Sequence, residues 1–398
     1  MPRKWVQAAL CGFLALCWAP PGAHALDLAN LRKKLAAQAR HLSATSGGYV
    51  RDLGSGRTLY ARNATRTRSP ASNEKLLTTS TALIKFTPDA HFRTVLRAGA
   101  APVDGVIDGD VALVGTGDPY LSTTQLRMIA SELAALGVEE ITGKVLGDGS
   151  YFDRRRGSFD SGWAYDSDLA GSLGGLVADH GRGSDPALYA AQQLRQTLLD
   201  ANIVVRKGAH TGRLTGPGQD LAAITSATIG ATVARINLPS DNFAAEMLLK
   251  NLGAAFGSGG TTPAGATLVR TTLAELGVTA TVRDGSGLSR SDRVSPYELV
   301  DLLTAMANQP DAGEALQASL PVAGRSGTLA GRMRGTPAAG RCRAKTGTLR
   351  DVSALSGYCT TTGGATVAFS FMENGMSSYT AKSVEDRMLP LVARYDGS

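Results

Sequence analysis

Three runs near the C-terminus, 344–349, 353–359 and 365–371, read as consecutive strands divided by short polar connections. Arg350-Asp351 fits a two-residue turn between the first two. Such a turn sets Leu349 opposite Val352 and, counting outward, Cys342 opposite Cys359. Directly opposed residues of an antiparallel pair lie at the Cα spacing a disulfide spans. The register of this meander constrains the fold more than any other feature of the chain, because it commits residues 342–371 to an antiparallel sheet. The alternative for the two cysteines is a pair of small buried residues with free thiols.

The N-terminus bears on that choice. Arg3 and Lys4 precede an uncharged, mostly apolar stretch from Trp5 to Ala19, which Pro20, Pro21 and Gly22 end. Ala23-His24-Ala25 follows as an A-x-A site, so residues 1–25 read as a secretory signal peptide cut after Ala25. A retained signal anchor is the alternative, although about 15 apolar residues is short against the roughly 20 a span needs. Of the four cysteines, Cys11 and Cys17 leave with the signal. The remaining even pair in an exported protein points to one disulfide, Cys342 with Cys359. No integral membrane span is expected after cleavage.

With 398 residues, 43% hydrophobic and 19% charged, the chain is long and apolar enough for two or three domains with buried cores. The net charge of +7 is spread along the chain, and Arg154-Arg155-Arg156 is its densest basic cluster, so no nucleic-acid partner is expected. Helical periodicity is read at 28–41, 72–86, 126–136, 186–201, 296–308, 312–320 and 383–395. Pro390 is expected to kink or split the last of these, and 221–228 is read as helix and loop. From 91 to about 163 short apolar runs alternate with Gly-Asp turns, the texture of a small α/β unit of its own.

The chain has no Gly-x-Ser-x-Gly elbow, His-Glu-x-x-His, P-loop or dinucleotide fingerprint. Beyond the signal only His41, His91, His180 and His210 occur, with no metal-ligand spacing, and no metal site is expected. Three other signals stand in order. Ser72-Asn73-Glu74-Lys75 opens a helix, where residues three apart share a face and the amine can reach the hydroxyl. Ser240-Asp241-Asn242 is a Ser-x-Asn motif, and Lys345-Thr346-Gly347 lies on an expected strand. Average composition gives Ser-x-x-Lys about once or twice in such a chain, Ser-x-Asn about once, and Lys-Thr-Gly in roughly one chain in ten. Each alone is weak; the three in this order and context are not. Structural alternatives stand beside them: Ser72 as a helix N-cap, Lys75 and Lys345 as solvated charges, Ser240 and Asn242 as turn formers. Asp284-Gly285-Ser286-Gly287 reads as a structural turn, and Asp148 as a turn or a contact for a basic group on a peptide.

These motifs, with Gly115-Thr116-Gly117-Asp118-Pro119, 147–152 and 284–290, resemble the D-alanyl-D-alanine carboxypeptidase/endopeptidase family of class C low-molecular-mass penicillin-binding proteins. The resemblance implies a mixed α/β fold of the β-lactamase/penicillin-binding transpeptidase type. An antiparallel sheet of about five strands would be flanked by helices, with a helical subdomain and one inserted smaller α/β domain. Residues 26–87 and 181–398 would form the catalytic domain and 88–180 the insert. Ser72 would be the nucleophile, Lys75 its base and Ser240 a proton relay. Asn242 would hold the substrate amide, Lys345 and Thr346 the terminal carboxylate, and the N–H groups of Ser72 and Thr348 the oxyanion. A positive Lys345 would lower the proton affinity of Lys75. No cofactor is implied. The expected partners are peptidoglycan stem peptides ending in D-Ala-D-Ala and, as covalent inhibitors, β-lactams, in the periplasm or cell-wall space of a bacterium. Trimming of a terminal D-alanine and cutting of crosslinks both stay open. So do a β-lactamase, with faster deacylation, and a non-catalytic peptidoglycan-binding scaffold.

Overall fold

A computed structural model describes residues 25–398; the expected signal peptide, with Cys11 and Cys17, lies outside the described residues save for Ala25. The C-terminal meander is the frame of the larger unit. Its sheet runs Cys342–Leu349, Val352–Thr360, Thr366–Asn374, Gly47–Asp52, Thr58–Arg62, every neighbour antiparallel. Leu349 pairs with Val352 and Cys342 with Cys359, the register of a two-residue turn, and a disulfide joins the two cysteines.

Both faces of this sheet are covered, which is why its central strands are buried along almost their whole length, Ser356 and Ser370 included. On one face the terminal helices Leu28–Ala39 and Ser378–Val392 bury Leu31, Leu35, Met388 and Leu389 against Val50, Phe369 and Phe371. The second of these runs unbroken through Pro390, so the expected split does not occur; the proline sits in the last turn with only Leu391 and Val392 beyond it. On the other face lies a helical layer: Glu74–Lys85, Ile229–Asn237, Asn242–Phe256, Thr262–Glu275, Pro296–Ala307 and Pro310–Ser319. Its helices start where side chains satisfy the open N–H groups. Thr228, Asp241, Thr261 and Ser295 each accept from the amide three residues on, and Pro263 and Pro296 occupy first-turn positions.

The second unit is a mixed five-stranded sheet, in the order Gln219–Thr228, His91–Ala98, Val111–Gly115, Val145–Asp148, Ala209–Thr211. Thr123–Ala135 and Pro186–Asp200 pack on it through Leu126, Ile129, Leu133, Leu194 and Leu198. Residues 221–228, expected as helix and loop, belong to a strand. Ala222, Ile224 and Ser226 are buried at period two and pair along His91–Ala98, and that cross-strand partner decides what an alanine-rich segment cannot decide locally. The strands of this sheet therefore continue past 180, the expected end of the insert, to Thr228. Between them the segment 149–185 returns to the larger unit, where Phe152, Leu169, Leu173 and Val177 pack on Phe243 and Met247.

Candidate active site

The nucleophile candidate sits on a single 3-10 turn, Ala71–Asn73, that leads into the helix Glu74–Lys85. Ala71 holds a left-handed φ of 46°, a conformation costly for a residue with a Cβ. Asn73 is buried and donates to Ser356 Oγ at 2.7 Å, which ties the turn to the sheet. Ser72 caps no helix; its Oγ instead lies 3.1 Å from Lys75 Nζ.

Lys75 is fully buried, and two more acceptors surround its amine: Asn242 Oδ1 at 2.7 Å and the Ser286 carbonyl at 2.6 Å. Burial pushes its pKa down to about 8, against the pull of Asp284, Glu246, Asp241 and Glu74 in the opposite direction. The expected agent, the charge of Lys345, is not the main cause. Lys345 is buried in the same site, and burial and then Lys75 push its own pKa well below the ordinary lysine value. Four buried carboxyl groups lie behind Lys75: Glu74, Glu246, Asp284 and Asp292. Burial raises all four, Glu246 to about 8, and repulsion from neighbouring carboxylates adds to it at Glu74, Glu246 and Asp292.

Ser240 stands at a left-handed φ of 67° just before the helix Asn242–Phe256, and Lys345 Nζ donates to its Oγ at 2.8 Å. Asn242 also donates through Nδ2 to the Asp168 carbonyl at 3.0 Å, so in this structure both ends of its amide have protein partners. Thr346 Oγ1 lies 2.7 Å from Thr328 Oγ1. Thr328 is outside the three motifs and no sequence signal pointed to it.

The strand Cys342–Leu349 is the edge of its sheet. Cys342 O accepts from Ala323 N and Ala344 N donates to the Pro321 carbonyl, so its even-numbered residues turn their backbone groups off the sheet. By the alternation of an antiparallel ladder, the N–H groups of Thr346 and Thr348 point the same way, toward the groove beside Ser72. Gly347 makes that approach possible. A Cβ there would lie 2.7 Å from the Pro70 carbonyl oxygen and 3.1 Å from Ser72 N.

Sequence reasoning missed a further group. Asp241 accepts from Ala244 N at 3.0 Å and from Tyr120 Oη at 3.1 Å, and lies 3.5 Å from His180 Nε2. His180, half-buried, is raised above the ordinary imidazole value mainly by that carboxylate. Asp284 behaves as the turn former expected, accepting from Gly287 N and Ser289 N at 2.8 and 2.6 Å. Asp148 likewise closes a turn onto Ser150 N at 2.9 Å. Among the described residues no group of three or more His, Cys, Asp or Glu side chains is placed to hold a metal ion, and no helix is long and apolar enough to cross a membrane.

Comparison with known proteins gives the family. The profile of the D-Ala-D-Ala carboxypeptidase 3 (S13) family matches residues 28–172 and 177–395. A D-alanyl-D-alanine carboxypeptidase of Actinomadura sp. (strain R39) is 33% identical, over 89% of this chain and 82% of its own length. The D-alanyl-D-alanine carboxypeptidase DacB of Haemophilus influenzae is 25% identical, over 81% of this chain and 83% of its own. The crystal structure of penicillin binding protein 4 from Haemophilus influenzae superposes with a TM-score of 0.78 at 21% identity, covering 89% of this chain and 97% of that one. The chain belongs to the D-Ala-D-Ala carboxypeptidase 3 (S13) family, and is a carboxypeptidase of that kind.

Proposed function

We propose that the chain removes the terminal D-alanine from peptidoglycan stem peptides through an acyl-enzyme on Ser72, and that β-lactams acylate the same serine. The observation that carries this reading is the setting of Lys75. Its three neighbours are Asn242 Oδ1, the Ser286 carbonyl and Ser72 Oγ. The first two can only accept. A neutral amine has two N–H groups and one lone pair. With both N–H groups given to the two fixed acceptors, the lone pair faces the serine hydroxyl. Lys75 is thereby a base aimed at Ser72.

The steps follow from the neighbours. Ser72 Oγ attacks the carbonyl between the two D-alanines while its proton passes to Lys75. The N–H groups of Ser72 and Thr348 stabilise the oxyanion. The C–N bond breaks as the proton taken by Lys75 passes through Ser240 to the amine of the departing D-alanine, which leaves Lys75 neutral again. Lys345 and Thr346, with Thr328 behind, hold the terminal carboxylate; its negative charge favours protonated Lys345, so binding restores the charge that burial disfavours. Water then cleaves the ester, freeing Ser72 and a stem peptide one residue shorter. The site would work in the exported space of a bacterium, where the substrate lies and where a disulfide persists.

Intact-protein mass after incubation with a penicillin, with release of D-alanine from a peptide ending in D-Ala-D-Ala, tests the reading. The wild type should gain one penicillin and release D-alanine; Ser72→Ala should do neither while keeping its melting temperature. An unmodified wild type that releases no D-alanine would refute it.

A further inference from the structure

We infer that Glu246 is a positioning residue for the base Lys75, acting through the turn Asp284-Gly285-Ser286-Gly287; the inference rests on the acyl-enzyme reading above. The helix Asn242–Phe256 meets the lysine twice. Its first residue, Asn242, accepts from Lys75 directly. One turn on, on the same face, Glu246 Oε1 accepts from both Gly285 N and Ser286 N, each at 2.9 Å. Those two bonds fix the peptide plane ahead of the Ser286 carbonyl, the oxygen 2.6 Å from Lys75 Nζ. Asp284 fixes the far side of the turn through Gly287 N and Ser289 N. The turn is also wedged in place. Gly287 has a φ of 81°, and a Cβ there would lie 1.9 Å from the Ala71 carbonyl oxygen, one residue before Ser72. Glu246 is fully buried, and its other oxygen, Oε2, has no hydrogen-bond partner. Its contacts with the turn are therefore made by one atom, which a glutamine can reproduce.

Lys75 needs two acceptor-only neighbours to leave its lone pair on Ser72. Asn242 is one. The Ser286 carbonyl is the other, and it stays aimed only while Glu246 holds its turn. If the carbonyl rotates away, a lysine N–H loses its partner and the lone pair no longer faces Ser72. A misplacement of about 1 Å at a reacting group costs on the order of a hundredfold in rate.

Two substitutions separate reach from charge. Glu246→Gln keeps the reach and the acceptor oxygen but removes any charge. Glu246→Asp keeps the carboxyl group but is one methylene too short to bond both amides. The readout is the rate of penicillin acylation against pH, taken to its high-pH plateau. Lys75 is faced by Glu74 from its own helix, Asp241 and Glu246 from the helix Asn242–Phe256 and its cap, Asp284 from the turn and Lys345 from the edge strand, with Asp292 acting on Asp284 and Glu74. A change in this charge set moves the midpoint of the profile; a misaimed base lowers the plateau. E246Q should keep a plateau within about threefold of wild type, and E246D should lose about 10- to 100-fold at the plateau while still folded. E246A carries the same expectation and replaces E246D should the shorter carboxylate prevent folding. Equal plateaus for all folded variants would overturn the inference, as would an E246Q plateau as low as that of E246D. A wild type that is not acylated at all would instead overturn the acyl-enzyme reading beneath it.

Discussion

Gly347→Ala puts one methyl group between the edge strand and the nucleophile turn. The new Cβ would lie 2.7 Å from Pro70 O, 3.1 Å from Ser72 N and 3.2 Å from Ala354 Cβ. Neither side gives readily. The strand is paired residue by residue with Val352–Thr360 from Cys342 to Leu349, and Asn73 binds the turn to Ser356 on that same neighbouring strand. Relief therefore requires the Ser72 backbone to withdraw from Thr348 by several tenths of an ångström, opening the space between the two N–H groups proposed to hold the oxyanion. Loss of one such donor costs about 10²- to 10³-fold in turnover. We expect kcat/KM on a D-Ala-D-Ala peptide to fall about 100-fold, near 2.7 kcal/mol of transition-state stabilisation. The overpacking itself should lower stability by about 1–3 kcal/mol. Steady-state kinetics and denaturant unfolding of the purified variant read both. A folded G347A with wild-type kcat/KM would refute the claim that Gly347 sets the Ser72–Thr348 approach.

Acylation by penicillin should rise with pH through about 8. The depressed lysine is the base only once it has lost its proton, so its activity is absent well below that pH and complete above it; stopped-flow rates that stay flat from pH 6 to 9.5 would exclude Lys75 as that base. Lys345→Ala should cut kcat/KM on peptides with a free C-terminus by about 10- to 100-fold, since a charge-assisted bond is worth about 1.5–3 kcal/mol, and should narrow their preference over C-terminal amides. Cys342→Ser with Cys359→Ser should lower stability by about 3 kcal/mol, the entropy expected for a loop of the observed 17-residue separation. Turnover at 25 °C should persist in that variant, because the disulfide sits at the opposite end of the hairpin from Thr348, and peptide assays with and without reductant check it.

Much of the candidate site's geometry was legible because it rests on short-range rules. A helix start puts Ser72 and Lys75 on one face, and a two-residue turn sets Cys342 opposite Cys359. The acid cluster behind Lys75 was not legible. No sequence signal singles out Glu74 or Glu246, since burial of a carboxyl group is decided by what packs over it. His180 and Thr328 carry no spacing signal, because their partners Asp241 and Thr346 are far away in sequence. The strand at 219–228 was missed for the same reason: its identity lies in the strand it pairs with, His91–Ala98.

By itself the sequence determined each motif, their order along the chain and the register of the C-terminal hairpin, because a motif and a hairpin register depend on neighbours within one helical turn or one hairpin, and the order is read directly. Only the tertiary structure decided that the amine of Lys75 is buried with two fixed acceptors, that Gly347 lets the nucleophile turn reach the strand edge, and that a second sheet extends to Thr228. Those features arise where segments more than a hundred residues apart are brought into contact, and desolvation and close approach exist only once that contact is made.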